Sequence, residues 1–160
     1  MHLPLSSAAA NHLIVLDEVG STNTELLGRV VAGGVGDFTV LVSANQTAGR
    51  GRLGREWTAP PGAALAVSVF VAPAEGSASR LGWMPLLAGL AMARAVASVS
   101  PQAAVAVKWP NDVQIDGRKV AGLLCEVVPG NRGVVIGAGL NVAMTRDQLP
   151  VPTATSLVLE

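Results

Sequence analysis

The apolar residues fall into short blocks that read as alternating strands and helices. Leu13 to Leu16 is an apolar run closed by Asp17-Glu18-Val19-Gly20, and predicts a strand. Ser21-Thr22-Asn23 then supplies N-cap chemistry, and Leu26, Leu27, Val30 and Val31 share one face of a helix that ends at Gly33-Gly34. The β-branched stretches Phe38 to Val42 and Ala63 to Val71 predict two buried strands. A turn over Pro73-Ala74-Glu75-Gly76-Ser77 leads into the Ala-rich, apolar stretch Leu81 to Val99, which predicts a buried helix covering the core. With Pro85 in its first turn that helix keeps about 15 residues, fewer than the roughly 20 a bilayer needs, and Arg94 falls inside it.

Further on, Val105 to Lys108 predicts a strand that delivers Lys108 and Trp109 to an extended turn at Pro110, where Asn111 and Asp112 present an amide and a carboxylate. Asp116-Gly117 is a hairpin signal between Gln114-Ile115 and a strand over Lys119 to Val128. That strand turns at Pro129-Gly130-Asn131 and returns as Gly133 to Leu140. Gly122, inside a strand, predicts a close approach to the backbone there. The tail from Gln148 reads as extended, Pro-interrupted and without a closing element.

Composition narrows the class. The 160 residues are 50% hydrophobic and 14% charged, which fits one compact domain and argues against disorder. Eleven acids balance eleven bases, so nothing draws the chain as a whole to nucleic acid or to an acidic membrane. One cysteine, Cys125, excludes an internal disulfide and a multi-thiolate zinc site, and predicts a small hydrophobe in a strand. His2 and His12 are the only histidines, which argues against a His-based catalytic centre, and no metal site is predicted from the residues. The N-terminus lacks the basic start and apolar core of a signal peptide, so a cytoplasmic location is expected.

Against this neutral background Gly49 to Arg55 holds three Gly and three Arg. Glycine lets backbone amides approach a ligand, and guanidinium groups offer paired donors to carboxylate or phosphate oxygens, so this loop expects an anion. Gly49, Gly51 and Gly54 also match a dinucleotide-binding pattern, with Glu75 at the distance of a ribose-binding acid. That motif needs a helix behind its glycines, and Pro60-Pro61-Gly62 stands there instead, so the fingerprint is rejected. Capping accounts for Ser21, Thr22 and Asn23 as well as ligand binding does, and turn chemistry does the same for Asn111 and Asp112.

Taken together, STN at Ser21 to Asn23, NQTAGRGRLGREW from Asn45 to Trp57, KWPNDV at Lys108 to Val113, GRKVAGLL at Gly117 to Leu124 and GAGLNV at Gly137 to Val142 resemble the catalytic domain of biotin protein ligases. The resemblance runs from about Leu13 to Glu160. It implies an α/β (α+β) domain over residues 1–160, with a mixed sheet flanked by helices as in class II aminoacyl-tRNA synthetases and lipoate ligases. It also implies a two-step reaction: biotin and ATP with Mg2+ give biotinyl-5′-AMP, and a lysine of the biotin carboxyl carrier domain of an acyl-CoA carboxylase takes the biotinyl group.

By that likeness Ser21, Thr22, Asn23 and Gln46 hold the ureido end of biotin. Gly49, Arg50, Gly51 and Arg52 close over the ligand, Gly122 lies beneath it, and Lys119 grips the carboxylate, so that Arg50, Arg52 and Lys119 carry the chemistry. Arg55, Trp57, Asn111, Asp112 and Asn141 lie toward ATP, and Lys108 either binds phosphate or is structural. No helix-turn-helix precedes Leu13, and the small C-terminal β-domain of the family is expected to be absent after Ala154 to Glu160. A biotin- or adenylate-binding module without turnover, a lipoate ligase on the same scaffold and a nucleic-acid binder built on the Arg loop stand as alternatives, and the oligomeric state is not readable.

Overall fold

The computed structural model describes residues 3–72 and 78–160. The turn expected at Pro73 to Ser77, with Glu75, lies outside the described residues. The chain forms α1 (Pro4–Ala9), β1 (His12–Leu16), α2 (Thr22–Val31), β2 (Thr39–Ser43), β3 (Gly49–Arg50), β4 (Glu56–Trp57), β5 (Ala64–Val71), α3 (Met84–Val99), β6 (Val105–Lys108), β7 (Asp112–Ile115), β8 (Arg118–Val127) and β9 (Val134–Asn141). Seven strands make one sheet in the order β1-β2-β5-β9-β8-β7-β6, and β3 pairs with β4 as a separate two-stranded ribbon. Only β1 and β2 run parallel within the large sheet, so it is mixed, as the family resemblance implies.

Side-chain alternation divides the sheet into two working faces. Along β9, Val135 joins Leu26, Val30, Leu41, Phe70 and Val128 in a core under α2, whereas Ala138 and Leu140 pack with Val96, Val113, Ile115, Val120 and Leu123 under α3. Since successive strand residues point to opposite faces, α2 and α3 cover opposite sides. Gly122, Leu124 and Glu126 of β8 stand opposite Gly139, Gly137 and Val135 of β9, on the α2 side. The glycines leave that face open beyond the helix end, and the site occupies the space.

The hairpins follow their turn chemistry. Asp116 and Gly117 both take positive φ, 48° and 80°, which the two-residue connection of β7 to β8 requires. α2 starts at a Ser21 cap, with Thr24 N 3.5 Å from Ser21 Oγ, and carries an internal Glu25–Arg29 ion pair.

Two expectations are corrected. The helix over Leu81 to Val99 is not buried all round: α3 sets Ala88, Met92, Ala93 and Val96 on the sheet, while Trp83, Leu87 and Leu90 are exposed. Its helical stretch including the preceding 3₁₀ turn, Arg80–Val99, has 20 residues, which by length and composition alone is enough to cross a membrane, so the length argument does not hold. The tail is not free either. Lys119 N donates to Thr153 O and Thr155 N donates to Lys119 O, Ser156 Oγ donates to Met144 O, and Arg118 pairs with Glu160 at 2.6 Å. The tail therefore clips onto the start of β8.

Candidate active site

One end of the site is a neutral hydrogen-bonding cluster at the N-terminus of α2. Thr22 N donates to Gln46 Oε1 at 2.8 Å, and the Thr22 hydroxyl lies 3.1 Å from the same oxygen and 2.8 Å from Ser68 Oγ. Ser68 Oγ donates to Asn23 Oδ1 at 2.7 Å. Asn23 Nδ2 in turn donates to Leu124 O at 3.1 Å and to Glu126 Oε2 at 2.9 Å. Ser21, Thr22, Asn23 and Ser68 are buried, so this cluster is part of the body of the domain. Gly137 is required beneath it, because a Cβ there would run into the Asn23 amide.

The Gly/Arg loop forms a lid over the other end. It is β3, a 3₁₀ turn over Arg52–Gly54 and β4, closed by Gly51 N donating to Arg55 O at 2.7 Å. No α-helix follows its glycines, in agreement with the rejected dinucleotide fingerprint. Leu53 and Gly54 take positive φ to turn the chain back. Trp57, at the end of the ribbon, lies on Gly122 and Gly139, which face each other across β8 and β9. A Cβ at Gly122 would stand 3.1 Å from both the Trp57 ring and Lys119 Nζ, which is the close approach its glycine predicts.

The cationic groups meet between lid and sheet. Lys119 Nζ pairs with Asp112 at 2.7 Å and sits 5.7 Å from the centre of the Trp57 ring. Arg50 pairs with Glu126, and Arg52 lies 3.4 Å from Asn111 Oδ1. Asn111 is clamped by its own amide, which donates to Leu123 O at 3.0 Å. Burial pushes the Cys125 thiol up to about 11 against an opposing pull from Arg52, so Cys125 is a neutral thiol at ordinary pH.

A cavity of about 370 Å³ connects these parts. Ser21, Thr22, Asn23, Gln46, Arg50, Gly51, Arg52, Arg55, Trp57, Asn111, Asp112, Lys119 and Gly122 all line it, so residues spread over a hundred positions converge on one site. Four of the lining residues are cations and two, Glu56 and Asp112, are carboxylates, which leaves the walls net positive in a neutral chain.

Three expected site residues lie elsewhere. Gly49 is buried beside the cavity, and its missing side chain makes room for the Trp57 carbonyl and the Gln46 amide. Lys108 is exposed at the end of β6 and does not line the cavity. Asn141 is buried, with its amide donating to Thr155 O at 2.8 Å, and ties the tail to β9. Conversely, Ser68, Glu126, Trp109, Gly137 and Gly139 belong to the site or its support and were not among the expected site residues. Strand pairing brings in Ser68 and Glu126, and no local motif marks them.

Residues 16–142 match the model of the biotin/lipoate A/B protein ligase family. The chain belongs to that family. Among relatives of this family, a Mycobacterium tuberculosis biotin--[acetyl-CoA-carboxylase] ligase is 43% identical over 148 residues, 91% of the chain. The Escherichia coli bifunctional ligase/repressor BirA is 41% identical over 136 residues, 82% of the chain. The chain spans 54% and 41% of those relatives' own lengths. Of solved family structures, the Aquifex aeolicus biotin protein ligase in complex with biotin and ATP superposes with a TM-score of 0.74 at 33% identity, covering 93% of this chain and 60% of that one. The Leishmania major enzyme in complex with biotinyl-5-AMP gives 0.74 at 31% identity, covering 93% and 64%.

Proposed function

We propose that the chain is the catalytic part of an ATP-dependent biotin protein ligase. The observation that carries this reading is the meeting, in one cavity, of a neutral donor–acceptor cluster and a cationic lid with a facing lysine. Biotin has the same two ends, a neutral ureido ring and a carboxylate.

In this mechanism Ser21, Thr22, Asn23 and Gln46 hold the ring, whose carbonyl and two N–H groups match hydroxyl and amide partners. The acyl chain runs past Trp57, which covers Gly122 and Gly139, toward Lys119. Lys119 exchanges its Asp112 partner for the biotin carboxylate and holds it against the α-phosphorus of ATP. One carboxylate oxygen bonds to that phosphorus as the bond to pyrophosphate breaks, and Lys119 with Arg52 and Arg55 stabilises the charge that gathers on the phosphoryl oxygens. A deprotonated carrier lysine then attacks the acyl carbon, AMP leaves, and an amide is formed. The carrier is the biotin carboxyl carrier domain of an acyl-CoA carboxylase, and the reaction belongs to the cytoplasm.

Magnesium fits this site in one form. No cluster of three or more His, Cys, Asp or Glu side chains exists among the described residues, whereas Mg2+ is commonly held by one or two carboxylates and substrate phosphates. Asp112 and Asn111 suit a cation carried in on the nucleotide, which would neutralise phosphate charge.

The test is incubation with biotin, labelled ATP and a carrier domain. Release of pyrophosphate and labelling of the carrier are expected. Biotin binding with neither product would instead support a binding module without turnover.

A further inference from the structure

Among the described residues, Glu126 is the one carboxylate that touches both halves of the site. Its Oε2 accepts from Asn23 Nδ2 at 2.9 Å, inside the neutral cluster. The same carboxylate accepts from Arg50 NH2 at 2.9 and 2.8 Å, on the first strand of the lid. It reaches both because β8 places it on the α2 face, opposite Val135 and two residues beyond Leu124, whose carbonyl shares the Asn23 amide. Three elements distant in sequence, α2, β3 and β8, thus meet on one side chain.

The consequences differ at its two ends. At Asn23 the amide presents its oxygen to Ser68 and its nitrogen to β8, and Glu126 together with the Leu124 carbonyl holds that orientation against the flipped one. At Arg50 the charge of one lid guanidinium is already matched, which removes it as an uncommitted anion receptor and makes it a strut. Arg52 and Arg55 have no carboxylate within ion-pair distance among the described residues. The lid cations are therefore divided: Arg50 holds the lid to the sheet, and Arg52 and Arg55 line the cavity without a carboxylate partner among the described residues.

We propose that Glu126 is a positioning residue that latches the lid through Arg50 and orients Asn23 for the neutral end of the ligand. For the ligand's identity this rests on the biotin reading above, while the latch itself does not. Its loss should weaken binding of the free acid and loosen the lid without removing the groups that carry out phosphoryl transfer.

The test uses two readouts on wild type, Glu126→Ala and Glu126→Gln. One is the biotin dissociation constant by calorimetry. The other is the rate of tryptic cleavage within the lid, at Arg52 and Arg55, without ligand. Glu126→Ala is expected to raise the dissociation constant about tenfold and to speed lid cleavage about fivefold, sizes ordinary for losing a charge-assisted pair. Glu126→Gln keeps an acceptor for Asn23 but not the charge for Arg50, so it should hold biotin within about threefold of wild type while its lid is still cleaved faster. A Glu126→Ala variant with wild-type affinity and wild-type cleavage overturns the proposal. If wild type itself binds no biotin, the ligase reading fails, and the cleavage comparison still decides the latch. Should Glu126→Ala not fold, the isosteric Glu126→Gln carries the test: faster lid cleavage supports the latch and an unchanged rate overturns it.

Discussion

Lys119 is held from several sides: Asp112 pairs with its ammonium, Trp57 flanks it, and its backbone is hydrogen-bonded to Thr153 and Thr155 of the tail. The backbone contacts are independent of the side chain, so Lys119→Ala should fold normally. On the proposed mechanism it should lower adenylate formation by roughly 10²–10³-fold, read as pyrophosphate release. Arg52→Ala has a different signature, because Arg52 sits on the lid turn and, among the described residues, its side chain's one hydrogen bond is to Asn111. It should leave the fold intact and release the adenylate about tenfold faster, measured by retention of labelled AMP after gel filtration. Equal retention in mutant and wild type would contradict that role. Cys125 supplies a pH prediction. Burial favours its neutral form, so the stability this contributes is fully present below about pH 9 and is lost as pH rises toward about 11. The melting temperature of wild type should therefore fall more steeply over that window than that of Cys125→Ala.

At the scale of elements, the hairpin of β7 and β8, the N-cap of α2 and the paired strands β8 and β9 were all legible in the chain, because turn residues and alternation are local signals. The ribbon β3–β4 was not, since two residues per strand carry no period, and the Gly/Arg run read only as a flexible anion-seeking loop. Lys108 and Asn141 were placed in the site by motif membership, and neither lines the cavity: Lys108 pairs with Asp112 from the edge strand β6, and Asn141 lies two residues beyond Gly139 with its amide turned to Thr155. Ser68 and Glu126 could not be foreseen, as each reaches the site through pairings of β5 and β8 with β9. α2 packs on the sheet through Leu26 and Val30. Leu26 is fully buried between it and the sheet, and Leu26→Ala should cost about 2–5 kcal/mol by chemical denaturation, with biotin affinity reduced because the same helix presents Thr22 and Asn23.

For the whole molecule the sheet acts as a partition. Its α2 face carries the site, and its α3 face carries a core half-covered by a helix whose outer side leaves Trp83, Leu87 and Leu90 exposed. Exposed apolar side chains at this spacing favour self-association, so Leu87→Glu with Leu90→Glu should raise solubility while shifting stability by no more than about 0.5 kcal/mol per site, as judged by light scattering and thermal melts. The resemblance gave the fold, and the motif residues line one cavity because they lie in the loops and strand ends that the sheet brings together.

Everything proposed for the site depends on one cavity accepting a neutral ring at α2 and an anion between Lys119 and the lid. Titration calorimetry with biotin, repeated in the presence of ATP and magnesium, tests this most directly. One biotin bound per chain, with nucleotide then retained alongside it and lipoate unable to compete, is the predicted result. No heat with biotin under either condition, or displacement of biotin by lipoate at equal concentration, would contradict it.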